Sequence, residues 1–314
     1  MVESLLRSNR FSNNKKFNIC LFFMLLLMYF LTLGENFLII ILVSYNKSLH
    51  SPMYLFLTQL SVSDIMLTID IVPNMLNIVL NERPSISFSG CITQLYFFGL
   101  PVGFECFLLT VMSYDRYLAI CSPLHYSSIM NQAFSVKLIL ASWLLSCSIS
   151  LIFAISICQL HFCGPNTIDH FFCDLEPLLK LSCSDVTMVQ IEASIISIPD
   201  IVIPFILTVV SYMYIVVTIV KIPSFSGRLK SFSTCSSHLA VVSMYYGTLT
   251  IMYVLRNEDQ SQIISRILAA MYTVLTPFLN PFIYCLKNKD IKEAYKNIVY
   301  KQRAYFSTLG LRFR

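Results

Sequence analysis

Seven apolar runs, each long enough to cross a bilayer, divide this chain of 314 residues. They cover approximately residues 19–43, 53–80, 92–121, 135–158, 192–220, 233–256 and 264–286. The hydrocarbon core of a bilayer needs about 20 mostly apolar residues per crossing helix. An open sheet edge leaves backbone donors and acceptors unpaired in lipid, so each run is expected to be a helix. The fold class is therefore an all-α membrane protein, a seven-transmembrane helix bundle. Composition decides the solvent: 12% of residues are charged, about half the share of a soluble domain. No internal repeat or second folded domain is visible. The expected division is a tail at 1–18, the bundle at 19–286 and a second tail at 287–314.

Lys15 and Lys16 before Cys20–Phe30 imitate the start of a secretory signal peptide. The apolar run is too long for one, and no small-residue cleavage site comes after it. Orientation is read from basic residues and cysteines. With the C-terminus inside, most Lys and Arg fall inside, including Lys47, Arg116, Lys137, Lys221, Arg228, Lys230 and the basic tail from Lys287 onward. Arg7, Arg10, Lys15 and Lys16 in the N-terminal tail oppose this placement. Cys91, Cys163, Cys173 and Cys183 settle it, because all four lie on the side opposite the C-terminal tail. Four loop cysteines indicate an oxidising compartment, so that side is extracellular and the N-terminus lies outside. Two bridges among four cysteines allow three pairings.

Polar residues inside the apolar runs are costly and by default functional. Asp64 lies in the second run and Glu105 in the third. Glu105 precedes Arg116 by eleven residues, which places both on roughly the same helical face. The two carboxyls either share one interior site or stay separate, each hydrogen-bonded to a Ser or Asn. Arg116 stands beside Asp115 at the inner end of the third run, a charged latch at the foot of the bundle. Pro281 removes a helical hydrogen bond from the seventh run and bends it, forming a hinge. His238 with Cys235 supplies too few ligands for zinc. The tail after Lys287 alternates basic and apolar residues, as an amphipathic helix on the lipid surface does.

Counting back from Arg116 in steps of three or four gives Met112, Leu109, Glu105, Val102 and Phe98 on one face. Phe98 and Val102, with Gly99 and Gly103 nearby, are expected to line an apolar ligand pocket in the outer half of the bundle. The small glycines admit either a ligand or a neighbouring helix. Tyr246, Thr250 and Tyr253 share a face of the sixth run, Ile196 and Asp200 a face of the fifth, and Thr273 faces them from the seventh. Asp200 either meets a ligand amine or, the simpler expectation, bonds to a Tyr, Ser or Thr on a neighbouring helix. The third run has no acidic residue in its outer half, which argues against an amine pocket of the usual kind.

Several motifs carry a resemblance. They are Met112-Ser113-Tyr114-Asp115-Arg116-Tyr117-Leu118-Ala119-Ile120-Cys121, Leu49-His50-Ser51-Pro52-Met53-Tyr54, and Asn280-Pro281-Phe282-Ile283-Tyr284. The run Lys230–Leu239, Ser211-Tyr212, Phe162-Cys163-Gly164 and Asp169–Asp174 add to them. Together they resemble the olfactory branch of the rhodopsin-like G-protein-coupled receptors, over Gly34 to about Lys292. The resemblance implies an odorant receptor of the plasma membrane and sensory cilia, not an enzyme. It implies a small, mostly apolar odorant, a stimulatory olfactory G protein and surrounding lipid as partners, and no nucleic acid. Asp115, Arg116, Tyr117 and His238 would serve coupling, Asp64 and Asn280 the core, and Tyr212 and Tyr284 the moving aromatics around Pro281. It implies the pairs Cys91–Cys173 and Cys163–Cys183. It implies no cofactor, apart from an interior sodium ion at Asp64 and Glu105. A transporter is the rival class, but it would commonly show an internal repeat.

The family usually carries an Asn-x-Ser/Thr sequon in the outer tail, whereas Asn9, Asn13, Asn14 and Asn18 all fail the pattern. Phe11→Ser creates one at Asn9. The expected outcome is a glycosidase-sensitive mobility shift and higher surface labelling. A glycosylated variant with unchanged surface labelling would show that the missing glycan is not what limits delivery.

Overall fold

The computed structural model describes residues 5–8, 15–81, 85–163, 167–168, 170–250, 267–287 and 291–296. Six helices among these are long and apolar enough to cross a membrane: Lys15–Tyr45, Pro52–Leu80, Phe88–Cys121, Gln132–Cys158, Thr187–Lys221 and Ile267–Tyr284. In bundle order they are the first to fifth spans and the seventh. The sixth, Phe225–Leu249, begins with the polar stretch through His238, and residues 251–266 lie outside the described residues. Each span matches one of the seven apolar runs. The first, fourth and fifth keep large apolar side chains such as Phe23, Leu144 and Val216 exposed, which only a lipid solvent makes favourable.

Local chemistry sets the boundaries. Ser51 caps the second span in an extended conformation and Pro52 is its first residue, where a missing N–H costs nothing. The Ser87 hydroxyl accepts from Gly90 N at 3.0 Å at the start of the third span. Ser224 does the same for Gly227 at 3.1 Å at the start of the sixth. A short helix, Pro123–Ile129, comes directly after the third span. Residues 291–296 form a helical turn whose Ile291 and Ala294 are buried while Lys292, Glu293, Tyr295 and Lys296 are exposed.

The third span is the axis of the bundle. Of its most apolar stretch 61% is buried, against 17% in the first span and 22% in the fifth. It packs on the second, fourth and fifth spans, and its Phe98, Phe104, Leu108, Leu109 and Met112 belong to the main core. Phe104 stacks on Trp143 of the fourth span with ring centroids 3.8 Å apart.

The outer end holds a small sheet that the runs did not foretell. Strand β1, Leu5–Ser8, pairs antiparallel with β2, Ser85–Ser87, and parallel with β3, Thr167–Ile168. Strands of two to four residues are too short to show a period of two. The loop over the bundle is fastened to it at three points, and a second disulfide closes the loop on itself. Cys173 is bonded to Cys91, and Cys163 to Cys183. Cys173 N donates to Gln94 Oε1 at 3.0 Å, and Asn74 Nδ2 donates to the Phe171 carbonyl at 3.0 Å. The acidic loop residues are dispersed and individually engaged: Glu176 with Lys180, Asp185 with Thr187, Glu192 with Ser156, and Asp174 with the Leu175 N–H. Asp169 lies outside the described residues.

Because Cys91 and Cys173 share one bond, their losses should not add. Cys91→Ser, Cys173→Ser and the double variant are each expected to lose about 2–4 kcal/mol of stability and to show the same fall in surface expression. Additive losses in the double variant would show that each cysteine acts separately.

Candidate functional site

Three features lie along the third span, from its outer half to its inner end. The outermost is a cavity of about 270 Å³ enclosed by the third, fourth and fifth spans and the lid. Phe98, Gly99, Val102, Gly103, Ile196 and Asp200 all line it. The fourth span supplies Ile149, Ser150 and Phe153, which the sequence did not single out. A signal was present: Ser142, Ser146 and Ser150 recur every four residues, and all three are buried. The two glycines serve the helix–helix contact. A Cβ on Gly103 would lie 2.8 Å from Ser146 Oγ, and one on Gly99 would lie 3.0 Å from Ser150 Oγ. Ser146 uses the closeness to donate to the Leu100 carbonyl at 2.6 Å.

Other expected pocket residues lie elsewhere. Tyr246 and Thr250 line a separate apolar groove between the fifth and sixth spans, where Tyr246 meets Phe205 at 4.9 Å. The sixth-span residue that reaches the cavity is Leu249, one position along and so on a different face. Thr273 is fully buried and donates to the Ala269 carbonyl. Tyr253 lies outside the described residues. Asp200 does not make the neighbouring-helix bond expected of it: its buried Oδ1 has no protein partner.

One to two helical turns further in lies the polar core. Asn280 Nδ2 donates to both oxygens of Asp64, at 3.0 and 3.2 Å. Ser63 Oγ donates to Glu105 Oε1 at 3.1 Å and lies 3.2 Å from the Pro101 carbonyl. Each carboxyl therefore has its own donor. Pro281 has no N–H, which leaves the Pro277 carbonyl four residues earlier without its helical donor. Asn36 of the first span lies across it, with Nδ2 3.3 Å from that oxygen. Asn280 Oδ1 is buried with no protein partner. The side-chain oxygens of Asp64, Glu105, Ser63 and Asn280 are of the donor type a small hard cation takes.

The inner end holds the charged pair. Asp115 and Arg116 are both buried. The Arg116 guanidinium donates to Asp115 Oδ2 through Nη2 and through Nε, the latter at 3.0 Å. Tyr126, on the short helix Pro123–Ile129, donates to Asp115 Oδ1 at 2.8 Å. Burial and the Asp115 charge raise the Tyr126 phenol above its ordinary value, so it remains a donor. Tyr212 is buried beside Ile215 and Cys235, and its hydroxyl is bonded to His238 Nδ1. Tyr117 packs against this cluster and meets Tyr214 at 6.0 Å. Ser237 Oγ reaches the Ile283 carbonyl at 3.3 Å, tying the sixth span to the seventh. Tyr284 is buried, and its hydroxyl has no protein partner.

The family model described as olfactory receptor matches residues 25–302. The chain belongs to the olfactory receptor family. It is 47% identical over 289 residues to Olfactory receptor 11L1 of Homo sapiens, covering 92% of this chain and 90% of that one. It is 46% identical over 279 residues to Olfactory receptor 1468 of Rattus norvegicus, covering 89% of each. Olfactory receptor 10A7 of Homo sapiens is 44% identical over 92% of both chains. Membership makes this protein a multi-pass membrane receptor of the seven-helix class and not an enzyme.

Tyr126 is one of two groups holding Asp115. Tyr126→Phe removes a hydrogen bond to a charged group, worth about 1.5–3 kcal/mol, while keeping the ring. The expected outcome is a several-fold rise in ligand-independent signalling at equal surface expression. Basal signalling equal to wild type would show that the bond does not hold the resting arrangement.

Proposed function

We propose that this receptor binds a small, mostly apolar odorant in the cavity beneath its lid and activates a stimulatory heterotrimeric G protein, raising cyclic AMP. The observation that carries the proposal is the single rigid axis joining cavity and latch. Val102 lines the cavity, Glu105 stands in the polar core, and Arg116 is paired at the inner end, all on the third span. Val102 and Arg116 are fourteen positions apart, about 21 Å at 1.5 Å per residue. A ligand in the cavity touches the third, fourth and fifth spans at once. It biases the bundle only by as much as it prefers one arrangement of those spans over another. A tenfold preference is about 1.4 kcal/mol.

In the resting arrangement Arg116 is held by Asp115, and Asp115 by Tyr126. Release of that pair, with movement of the sixth and seventh spans past the third, opens a cytoplasmic cavity for the G protein. Tyr212 and Tyr284 are the aromatics that rearrange, about the hinge at Pro281. When bound at Asp64, Glu105, Ser63 and Asn280, a sodium ion would neutralise carboxylate charge in the core and favour the resting arrangement. The plasma membrane of sensory cilia is the proposed site of action. The N-terminus and both disulfides face outside, and the tail helix at 291–296 lies on the inner leaflet.

Arg116→Ala tests the latch. The variant is expected to reach the cell surface, retain odorant binding and lose the cyclic AMP response by at least tenfold. A surface-expressed variant that raises cyclic AMP at wild-type strength overturns the proposed role.

A further inference from the structure

We propose that the cavity selects a protonated amine with a compact apolar body, and that Asp200 is the residue that selects it. The inference rests on the cavity being the odorant site and names the ligand class that site takes.

Asp200 sits in the π-helical turn Ile198–Val202 of the fifth span, and it lines the cavity. Single π-helical turns recur at functional sites. Here Ile203 N reaches back five residues to the Ile198 carbonyl, just before Pro204, which has no N–H to offer the Asp200 backbone carbonyl. The carboxylate lies over Gly103 of the third span, where a Cβ would come within 3.3 Å of Asp200 Oδ1. Three hydroxyls of this region are engaged elsewhere, and the buried Tyr246 hydroxyl, itself without a protein partner, is not bonded to Asp200. Ser146 donates to Leu100 at 2.6 Å, Ser197 to Ser194 at 2.9 Å, and Thr110 lies 3.0 Å from the Cys106 carbonyl and 3.1 Å from that of Pro204. Asp200 Oδ1 is left buried with no protein partner.

A buried charge without a partner is unfavourable. Asp174 also lines the cavity, and no Lys, Arg or His does so among the described residues. A neutral hydroxyl would give Asp200 one hydrogen bond and leave the charge; an ammonium supplies both. The remaining wall, with Phe98, Phe153, Ile149 and Ile196, accepts an apolar body. The volume, about 270 Å³, falls just below the ~300–1,000 Å³ of drug-sized sites, so the amine is small. The acidic residue missing from the outer half of the third span is thus supplied from the fifth.

The test uses the full-length receptor in a cyclic AMP assay with three probes of one shape: cyclohexylamine, cyclohexanol and methylcyclohexane, together with their short linear homologues. Amines are expected to be the most potent members at each size. Asp200→Asn, matched in shape, should lower amine potency at least about tenfold, while Asp200→Glu, which keeps the charge, should retain the preference for amines. Amines no more potent than the matching alcohols or hydrocarbons overturn the inference, as does amine potency unchanged in surface-expressed Asp200→Asn. A response to neutral odorants with silence to amines overturns the ligand class and leaves the odorant-receptor reading standing. Silence to every probe, with no Arg116-dependent basal signal from a surface-labelled receptor, overturns both.

Discussion

Lipid offers a helix no hydrogen-bond partner, and most of the structure answers to that constraint. A backbone carbonyl freed by proline must find its donor on another helix. The Pro277 carbonyl, freed by Pro281, lies against Asn36 of the first span, and Tyr245 of the sixth span donates to the Val102 carbonyl of the third. Thr110 of the third span faces the Pro204 carbonyl of the fifth. The proline of the seventh span, which would weaken a soluble helix, thus marks a point where two spans are tied. The ties are few and directional, so they fix which helix faces meet without filling the whole interface. A bundle joined in this way has separable contacts, which a two-state receptor requires.

The third span gathers these ties. Its outer half accepts the lid through Gln94 and the disulfide at Cys91. Its middle holds Glu105 against Ser63, and its inner end carries the pair Asp115–Arg116. The lid is thus fastened to the same helix that carries the buried Asp115–Arg116 pair at its other end. The fourth span completes this arrangement through serines. Ser146 and Ser150 lie against Gly103 and Gly99, so the helices approach closely enough to shape the cavity on one side.

The apolar runs were legible because bilayer thickness imposes a length on each of them, and the six described spans that meet it lie where the runs lie. Asp64 and Asn280 stood out because polar groups in apolar runs are conspicuous, and the structure brings the two together. The hidden part depends on which helix faces which. Apart from its serines the fourth span is mostly apolar, with Leu144 and Ile152 exposed, so its pattern alone does not assign Phe153 to a cavity. Tyr246 and Thr250 share a face, but only the packing of Phe205 against Tyr246 shows that this face turns to the groove. The outer sheet joins three segments far apart in sequence, each too short to carry a signal.

Three of the polar atoms that the fold leaves buried without protein partners lie between the cavity and the inner end of the bundle. Asp200 Oδ1 lies at the cavity, Asn280 Oδ1 in the core and Tyr284 Oη at the inner end of the seventh span. Each such atom costs about 1–3 kcal/mol when buried, a sizeable share of the few kcal/mol that separate two conformations of a switch. Their placement along the path from cavity to latch gives that cost a use. A ligand cation at Asp200, an ion at Asn280, or movement of Tyr284 toward a new donor would each recover part of it. The resting bundle is then less than fully satisfied at the points where activation acts. On the proposed function, the energy that couples an outer ligand to the inner end would be held in those unpaired atoms as well as in the contacts the helices make.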